Sequence, residues 1–151
     1  MRFALGAAAL VASLGLAGCG GNDGGSAELS IVGGEAKDDS EVGGYAFEGD
    51  DVVSPGPTIR VRAGQPVTVT FENVHGQYFG ESIPHNLVVT ATKDEQAKPF
   101  WQAAIGETDY LDVGERESVT FTPDAAGSYF YLCTVPGHVG RGMWGRFVVE
   151  E

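Results

Sequence analysis

One short loop contains three side chains that bind soft metal ions, at regular spacing. Cys133 is followed five positions later by His138, and His138 five positions later by Met143. A thiolate, an imidazole and a thioether together suit copper, which such sites commonly hold with a second histidine and the methionine as a weak axial ligand. The loop also contains Pro136, Gly137, Gly140 and Gly142. Because glycine permits tight turns and proline restricts one dihedral angle, the loop can bend until its three side chains face one point.

The second imidazole must come from one of the two remaining histidines, His75 or His85. His85 opens an apolar, β-branched run, Leu87 to Thr90, that is typical of a buried strand. His75 lies in Asn-Val-His-Gly-Gln, a polar setting that is typical of a turn. We therefore predict that His85 is the fourth ligand, and we interpret His75 as a solvent-exposed loop histidine.

The whole pattern, with His85-Asn86 upstream and Cys133, His138 and Met143 downstream, resembles the type 1 (blue) copper site of the cupredoxins. The segments Cys-Thr-Val-Pro-Gly-His and Gly-Met-Trp-Gly are most similar to the sulfocyanin-like members, with plastocyanin, azurin and auracyanin as more distant relatives. Each of these residues alone is also common in a protein core, but together they indicate a metal site. The resemblance implies one copper that cycles between Cu(I) and Cu(II), and an Asn86 that hydrogen-bonds near the cysteine sulfur.

The first residues predict export and a lipid anchor. Arg2 precedes an apolar run that is too short and too rich in alanine and glycine for a transmembrane span, as in a secretory signal. The run ends in Leu-Ala-Gly-Cys at Cys19, which resembles the lipobox of bacterial lipoproteins, where the cysteine is lipidated after cleavage. We predict a lipoprotein signal peptide over residues 1–18, a flexible glycine-rich tether over 19–28 and a cupredoxin domain over 29–151.

The two cysteines would ordinarily suggest a disulfide in an exported protein. Here the resemblances assign Cys19 to lipid and Cys133 to metal, so we predict no disulfide. The predicted location is the periplasmic or extracytoplasmic face of a bacterial membrane, with inner and outer membrane left open. In such an oxidising compartment, a thiolate is safer when it is buried and bound to a metal.

The charge is strongly negative and unevenly distributed. The chain has 9 Lys and Arg against 21 Asp and Glu, a net charge of −12, and loss of Arg2 with the signal would give 8 − 21 = −13. This charge argues against nucleic acid or an anionic lipid surface as the partner. From Ser128 to Val149 there is no acidic residue, only Arg141 and Arg146. The copper loop should therefore form a neutral to basic face on an acidic domain.

The remaining pattern predicts an all-β chain of six to eight short strands. Thr58 to Arg62 and Val67 to Asn73 alternate apolar and polar residues, as strands with one buried face do. We expect the cupredoxin-like two-sheet antiparallel Greek-key sandwich that the resemblance implies, with the metal at one pole. Gly33 to Gly44, which is acidic and rich in glycine, is predicted to be a loop.

Lys93 to Ile105 is the one stretch with helical composition, and Pro99 interrupts it, so we predict only a short helical segment there. Phe100 and Trp101 should pack that segment against the sandwich. Trp144 follows Met143 directly, and the sequence leaves open whether it shields the metal from water or packs in the core.

The resemblance implies an electron carrier rather than an enzyme. The protein would act as a monomer and shuttle single electrons between membrane-associated or extracytoplasmic redox partners, such as a cytochrome, a terminal oxidase or a reductase. The alternatives are an accessory to a copper-dependent oxidase or reductase, or a copper-delivery protein. Pro-Gly-Pro-Thr-Ile-Arg-Val, from Pro55, resembles the start of multicopper oxidase domains, but Leu132 and Thr134, not histidines, flank Cys133. Delivery would favour methionine-rich stretches, and the chain has two methionines in total.

Overall fold

The computed structural model describes residues 25–37, 39–74, 77–78 and 81–151, and of residues 39–42, 77–78 and 81 the backbone alone. These residues form the following strands: β1 Ala27–Ala36, β2 Asp39–Phe47, β3 Ile59–Arg62, β4 Val67–Asn73, β5 Gln77–Tyr78, β6 Glu81–Ser82, β7 Leu87–Thr90, β8 Ala104–Ile105, β9 Arg116–Phe121, β10 Gly127–Leu132 and β11 Trp144–Glu150. The first strand begins at Ala27, two residues before the predicted start of the domain.

Two sheets form the body of the protein. The four-stranded sheet has the order β2-β1-β4-β9 and the five-stranded sheet the order β3-β11-β10-β7-β8, while β5 and β6 form a small ladder apart. Apolar side chains alternate along β4, where Val67, Val69 and Phe71 are buried, and along β11, where Phe147 and Val149 are buried. These side chains of both sheets meet in one hydrophobic cluster. The predicted all-β, two-sheet sandwich is confirmed.

The prediction of uniformly antiparallel pairing is wrong at two places. β1 runs parallel to β4, and β11 runs parallel to β3. In neither case are the partners consecutive in the chain, because β2 and β3 come between β1 and β4, and seven strands come between β3 and β11. Alternation of apolar and polar residues determines which face of a strand is buried, but it does not determine which strand lies beside it.

The loop predicted for Gly33 to Gly44 is also wrong, because most of this stretch belongs to the β1–β2 hairpin. A Cβ atom at Gly33 would lie 2.6 Å from the ring of Phe71, and one at Gly44 would lie 2.1 Å from the carbonyl oxygen of Val53. Glycine is therefore required at these positions for close packing of neighbouring segments and not for a turn.

The predicted helical segment is absent, and the described residues contain no helix. Trp101 and Gln102 have φ angles of 53° and 59°, in the left-handed region, and Ala104–Ile105 forms β8 against β7. The indole Nε1 of Trp101 donates a hydrogen bond to Asp124 Oδ1 over 2.7 Å. Tertiary contacts of Trp101 thus override the helical composition. Nor do the described residues include any helical span long and apolar enough to cross a membrane.

Strand register brings the ends of three strands to one pole of the sandwich. Leu132, the last residue of β10, pairs both with Trp144, the first residue of β11, and with Val88 of β7. Residues that lie just beyond these strand ends must therefore be neighbours. They are Cys133, Met143 and His85.

Two buried tyrosines tie the core to this pole. The hydroxyl of Tyr45 donates to the main-chain oxygen of Asn86 over 2.7 Å, and that of Tyr131 donates to the main-chain oxygen of Pro57 over 2.6 Å. Their rings meet edge to face at 5.1 Å. Tyr131 requires a glycine at Gly145, where a Cβ atom would lie 2.2 Å from the ring. The core thereby holds the main chain beside His85.

Candidate metal centre

Three of the four predicted ligands converge at this pole. His85 Nδ1 lies 3.3 Å from His138 Nδ1, and Cys133 Sγ lies 3.5 Å from the same nitrogen. The three donor atoms all lie within 4.8 Å of one another. The residues come from three different segments, because His85 precedes β7, Cys133 follows β10 and His138 belongs to the loop between β10 and β11.

These spacings suit a single metal ion. Metal–nitrogen bonds of about 2.0 Å and metal–thiolate bonds of about 2.3 Å are ordinary for such ligands. At a near-tetrahedral angle, two such nitrogens lie roughly 3.3 Å apart and a nitrogen and a sulfur roughly 3.5 Å apart. The observed separations of 3.3 Å and 3.5 Å agree with these values. One thiolate and two imidazoles also form the donor set that a type 1 copper ion prefers.

Cys133 is a fully buried free thiol. Burial raises its pKa to about 11, although the backbone N–H groups of Asn86 and Val135 act in the opposite direction by hydrogen bonding to the sulfur. The thiol is therefore protonated at neutral pH in the absence of metal. A bound cation would replace that proton, since a coordinating thiol is deprotonated outright.

His138 is half-buried, and burial lowers its pKa below the ordinary value. Arg141 lowers the pKa further by charge repulsion, whereas Glu95 raises it. The imidazole is therefore neutral at pH 7, the form in which histidine binds metals. The ring lies 5.1 Å from that of His85, centroid to centroid.

The position of His85 is set by a pair of main-chain hydrogen bonds. Its N–H donates to the oxygen of Leu111 over 3.0 Å, and Leu111 N–H donates back over 2.9 Å. The side-chain amide of Asn73 then donates to the main-chain oxygens of Leu111 and Ile83, each over 2.8 Å. His85 is only 3% exposed. Leu111 thus pairs with His85 as an isolated antiparallel bridge outside the named strands.

Asn86 joins the segment of His85 to the segment of Cys133. Its Oδ1 accepts from the backbone N–H of Thr134 over 2.7 Å, and its Nδ2 donates to the Thr134 hydroxyl over 2.7 Å. The same Nδ2 donates to the oxygen of Gly106 over 3.2 Å. Asn86 thus contacts the residue after Cys133 through its side chain, while its main-chain N–H faces the sulfur.

Met143 lies beside the three converging residues. Its N–H donates to the oxygen of His138 over 3.0 Å, and its oxygen accepts from Cys133 N–H over 3.1 Å. The side chain is fully buried against β2, where a Cβ atom at Gly43 would lie 3.1 Å from the thioether sulfur. Gly137 and Gly142 have φ angles of 85° and 90°, so glycine is required for the turns on either side of the loop.

Other predicted residues fall in different places. Cys19 and His75 lie outside the described residues. Trp144 is half-buried, with its ring 6.0 Å from that of Phe130 and beneath the ammonium group of Lys93. It therefore packs beside the loop.

Sequence reasoning missed several residues that shape the site. Leu111 and Asn73 hold His85, Gly43 makes room for Met143, and Glu95 accepts a hydrogen bond from Gly137 N–H over 2.9 Å. All of these contacts join segments that are far apart in sequence. No local pattern in the chain signals them.

A β-sandwich that buries one cysteine and brings two histidines against it at one pole defines a cupredoxin-type copper protein. The chain matches the family described as copper binding proteins, plastocyanin/azurin family, over residues 46–150. This protein belongs to that family. The predictions of a cupredoxin and of one type 1 copper are confirmed.

Individual comparisons agree with the family. The chain is 32% identical over 150 residues to auracyanin-A of Chloroflexus aurantiacus, a match that covers 89% of this chain and 88% of that protein. It resembles dithionite-reduced auracyanin from the photosynthetic bacterium Roseiflexus castenholzii with a TM-score of 0.58 and 25% identity, over 84% of this chain and 99% of that one. The blue copper oxidase of Nitrosomonas europaea has the same TM-score, 0.58, at 26% identity, over 83% of this chain and 39% of that one.

In metal-free protein, the Cys133 thiol should titrate at about pH 11 and not at its ordinary value of 9.0. Because the folded state retains the proton longer than the unfolded state, this thiol's contribution to stability is present below the ordinary pKa and is lost as pH rises towards 11. The free energy of unfolding should therefore fall over this range by about 2 to 3 kcal/mol more than in Cys133→Ser. Ultraviolet thiolate absorbance, with Cys133→Ser subtracted to remove tyrosinate, measures the pKa directly. Half-titration near pH 9 would contradict the burial argument.

Proposed function

We propose that this protein is a one-electron carrier in which His85, Cys133, His138 and Met143 hold a single copper ion. The observation that carries the proposal is the convergence of two imidazole nitrogens and one thiol sulfur at a buried pole. Bound copper would supply one-electron chemistry between Cu(I) and Cu(II). A related auracyanin is described as reduced by dithionite, which supports a redox role.

The main chain around the ligands is suited to rapid electron exchange, which requires a site that changes shape little. Cys133 N–H binds the oxygen of Met143, and Met143 N–H binds the oxygen of His138. His85 is held by its paired bonds to Leu111. Each ligand-bearing residue is thus tied by its backbone to another ligand or to a strand neighbour. The donor atoms have little freedom to rearrange.

The ligands differ in exposure in a way that favours one route for the electron. Cys133 and Met143 are fully buried and His85 is 3% exposed, so water is excluded from most of the site. His138 is half-buried and lies between the exposed residues Gly137 and Gly140. Its imidazole is therefore the part of the site nearest the surface, and we assign it as the point where electrons enter and leave.

Catalysis and copper delivery are less well supported. Within the described ranges, the cluster of His85, Cys133 and His138 is the one group of three or more histidine, cysteine or acidic side chains whose donor atoms meet. A second copper for catalysis therefore has no evident ligands there. Delivery requires ligands that a recipient can reach, whereas Cys133 and Met143 are inaccessible. Burial of the ligands favours retention of the metal.

The purified protein should contain one copper per chain, be blue when oxidised, and lose its colour on addition of one reducing equivalent of dithionite. Metal analysis with a visible titration measures all three properties. Several coppers per chain would favour the enzyme, and a colourless protein that holds only Cu(I) would favour delivery.

Variants test the ligand set in the same assay. Cys133→Ser should abolish the blue colour because the thiolate-to-copper transition produces it, and His85→Ala should abolish it because the site loses an imidazole. His75→Ala serves as the control and should leave the spectrum unchanged. A normal blue spectrum in His85→Ala would overturn the assignment of the upstream histidine.

The surface around His138 provides a docking site for redox partners, which we expect to be a cytochrome, a terminal oxidase or a reductase. The docking patch consists of Val135, Pro136, Val139 and Gly140, with the exposed Arg141 at its rim. A small apolar contact suits a partner that binds and leaves quickly, since transient redox interfaces are small. Arg141 would steer an acidic partner over a screening length of about 8 Å at physiological salt. The acidic remainder of the protein would repel that partner and favour one orientation.

Val139→Asp should slow electron exchange with the physiological partner and leave the copper spectrum unchanged, because it places a charge in the apolar patch. Arg141→Glu should slow exchange mainly at low salt, where steering is strongest. Val113→Asp is the control for the added charge, because Val113 is a valine exposed at 36% that lies outside the patch. Stopped-flow kinetics across a salt series measure these rates. Equal rates in Val139→Asp and Val113→Asp would place the docking site elsewhere.

We further propose that the protein is exported and anchored through lipid on Cys19, outside the cytoplasm. The support is the sequence pattern at residues 1–19, which precede the described part of the chain. From there a short segment leads to Gly25, whose oxygen accepts from Gln65 Nε2 over 2.7 Å, and to β1 at Ala27. Such a tether would confine the copper domain to a thin layer near membrane partners.

The wild-type protein should therefore partition with membranes, and Cys19→Ser should release it with copper binding intact. Stable attachment requires more than one acyl chain, which lipoprotein modification supplies. Fractionation followed by mass spectrometry of the N-terminal peptide measures both attachment and modification. Wild-type protein found entirely in the soluble exported fraction would indicate ordinary signal cleavage.

A further inference from the structure

A short segment outside the copper loop contacts that loop at both ends. Glu95 Oε2 accepts a hydrogen bond from the backbone N–H of Gly137, directly before His138, over 2.9 Å. The ammonium nitrogen of Lys93 lies 4.2 Å from the centre of the Trp144 ring, directly after Met143. Both side chains therefore act on residues adjacent to proposed ligands.

The segment itself is well ordered by local hydrogen bonds. The Asp94 carboxylate accepts from Gln96 N–H over 2.9 Å, and the Asp94 oxygen accepts from Ala97 N–H over 3.0 Å. This turn directly follows β7, the strand that His85 precedes. The chain thus runs from His85 through β7 into this turn, and the turn contacts the loop that carries the other three proposed ligands.

The copper loop does not satisfy Gly137 N–H by itself. Other loop N–H groups bond within the loop, as His138 does to the oxygen of Val135 over 3.0 Å and Arg141 to that of His138 over 3.1 Å. Gly137 has a φ of 85°, and its N–H is directed instead to Glu95. Hydrogen bonds with an ionised acceptor are stronger than those between neutral groups. The carboxylate therefore holds the turn that aims His138.

The charge of Glu95 also acts on the metal site. Its carboxylate oxygen lies 2.9 Å from the backbone nitrogen of Gly137, the residue directly before the proposed ligand His138. A negative charge this close to the site attracts the more positive state of a bound metal more strongly. Glu95 should therefore stabilise the oxidised over the reduced copper.

We propose that Lys93 and Glu95 form a brace that positions the copper loop from outside, and that Glu95 in addition lowers the reduction potential of the site. Glu95 is a positioning residue for His138, on which it acts through Gly137. Lys93 lies over the ring of Trp144, the residue that follows Met143. The proposal deepens the assigned electron-carrier function and rests on it for the effect on potential. The contacts of Glu95 and Lys93 with the loop and its flanking tryptophan do not depend on bound copper.

Two substitutions at Glu95 separate hydrogen bonding from charge. Glu95→Gln keeps a carbonyl for Gly137 N–H and removes the charge, whereas Glu95→Ala removes both. Glu28→Gln is the matched control, since Glu28 is exposed and pairs with Thr68, at the end of the sheet away from the metal. All three variants change the net charge equally.

In metal-free protein, Glu95→Ala should accelerate hydrogen exchange of the Gly137 amide about tenfold, the factor expected for loss of one net hydrogen bond. Glu95→Gln and Glu28→Gln should leave that amide protected. In copper-loaded protein, both Glu95 variants should have a higher reduction potential than Glu28→Gln, measured by voltammetry. In metal-free protein, Lys93→Gln should increase the motion of the Trp144 indole, measured by NMR relaxation, and leave the Gly137 amide protected.

Equal Gly137 exchange in Glu95→Ala and Glu28→Gln, or unchanged Trp144 motion in Lys93→Gln, would overturn the brace. Equal potentials in Glu95→Gln and Glu28→Gln would overturn the effect of charge. Because the exchange and relaxation measurements use metal-free protein, they test the brace whether or not copper binds. Failure of the wild-type protein to bind copper would overturn the proposed function and, with it, the effect on potential, but not the brace.

Discussion

Two hydrogen bonds between Asn86 and Thr134 hold together the two segments on which the metal site depends. The orientation of the Asn86 amide follows from chemistry, because the backbone N–H of Thr134 can only donate and must therefore meet Oδ1. The amide nitrogen is then directed at the Thr134 hydroxyl. Since Asn86 follows His85 and Thr134 follows Cys133, this contact sets the distance between an imidazole and the thiol. The buried hydroxyl of Tyr45 supports it from the core by binding the oxygen of Asn86.

Most of the site is buried, and one of its residues approaches the surface. Burial makes the free thiolate of Cys133 unfavourable, as its raised pKa shows, so the thiolate requires a cation nearby. The same burial excludes water and limits movement of Met143 and His85. His138 alone among these residues approaches the surface, and the charges of Arg141 and Glu95 act on its pKa in opposite directions. The chain therefore separates the parts of the site that must stay rigid from the part that a partner can reach.

The errors of sequence-based prediction share one physical cause. Glycines at 33 and 44 were interpreted as loop residues, but they lie in strands because Phe71 and the main chain at Val53 leave no space for a side chain. Residues 93–105 have helical composition, yet Trp101 adopts a left-handed conformation while its indole binds Asp124. In each case a partner distant in sequence decides the local structure. Composition and periodicity describe a residue's own preference and say nothing about such partners.

The sequence by itself determined the chemistry: one thiolate, imidazoles and a thioether at short spacing in a loop built from glycine and proline, on a chain whose alternating apolar residues form strands. These properties are local, so a linear pattern records them. Tertiary structure alone decided the parallel pairing of β1 with β4 and of β3 with β11, and the placement of Leu111, Asn73, Gly43 and Glu95 around the ligands. Those contacts exist only when distant segments meet, because packing and hydrogen bonding act through space and not along the chain.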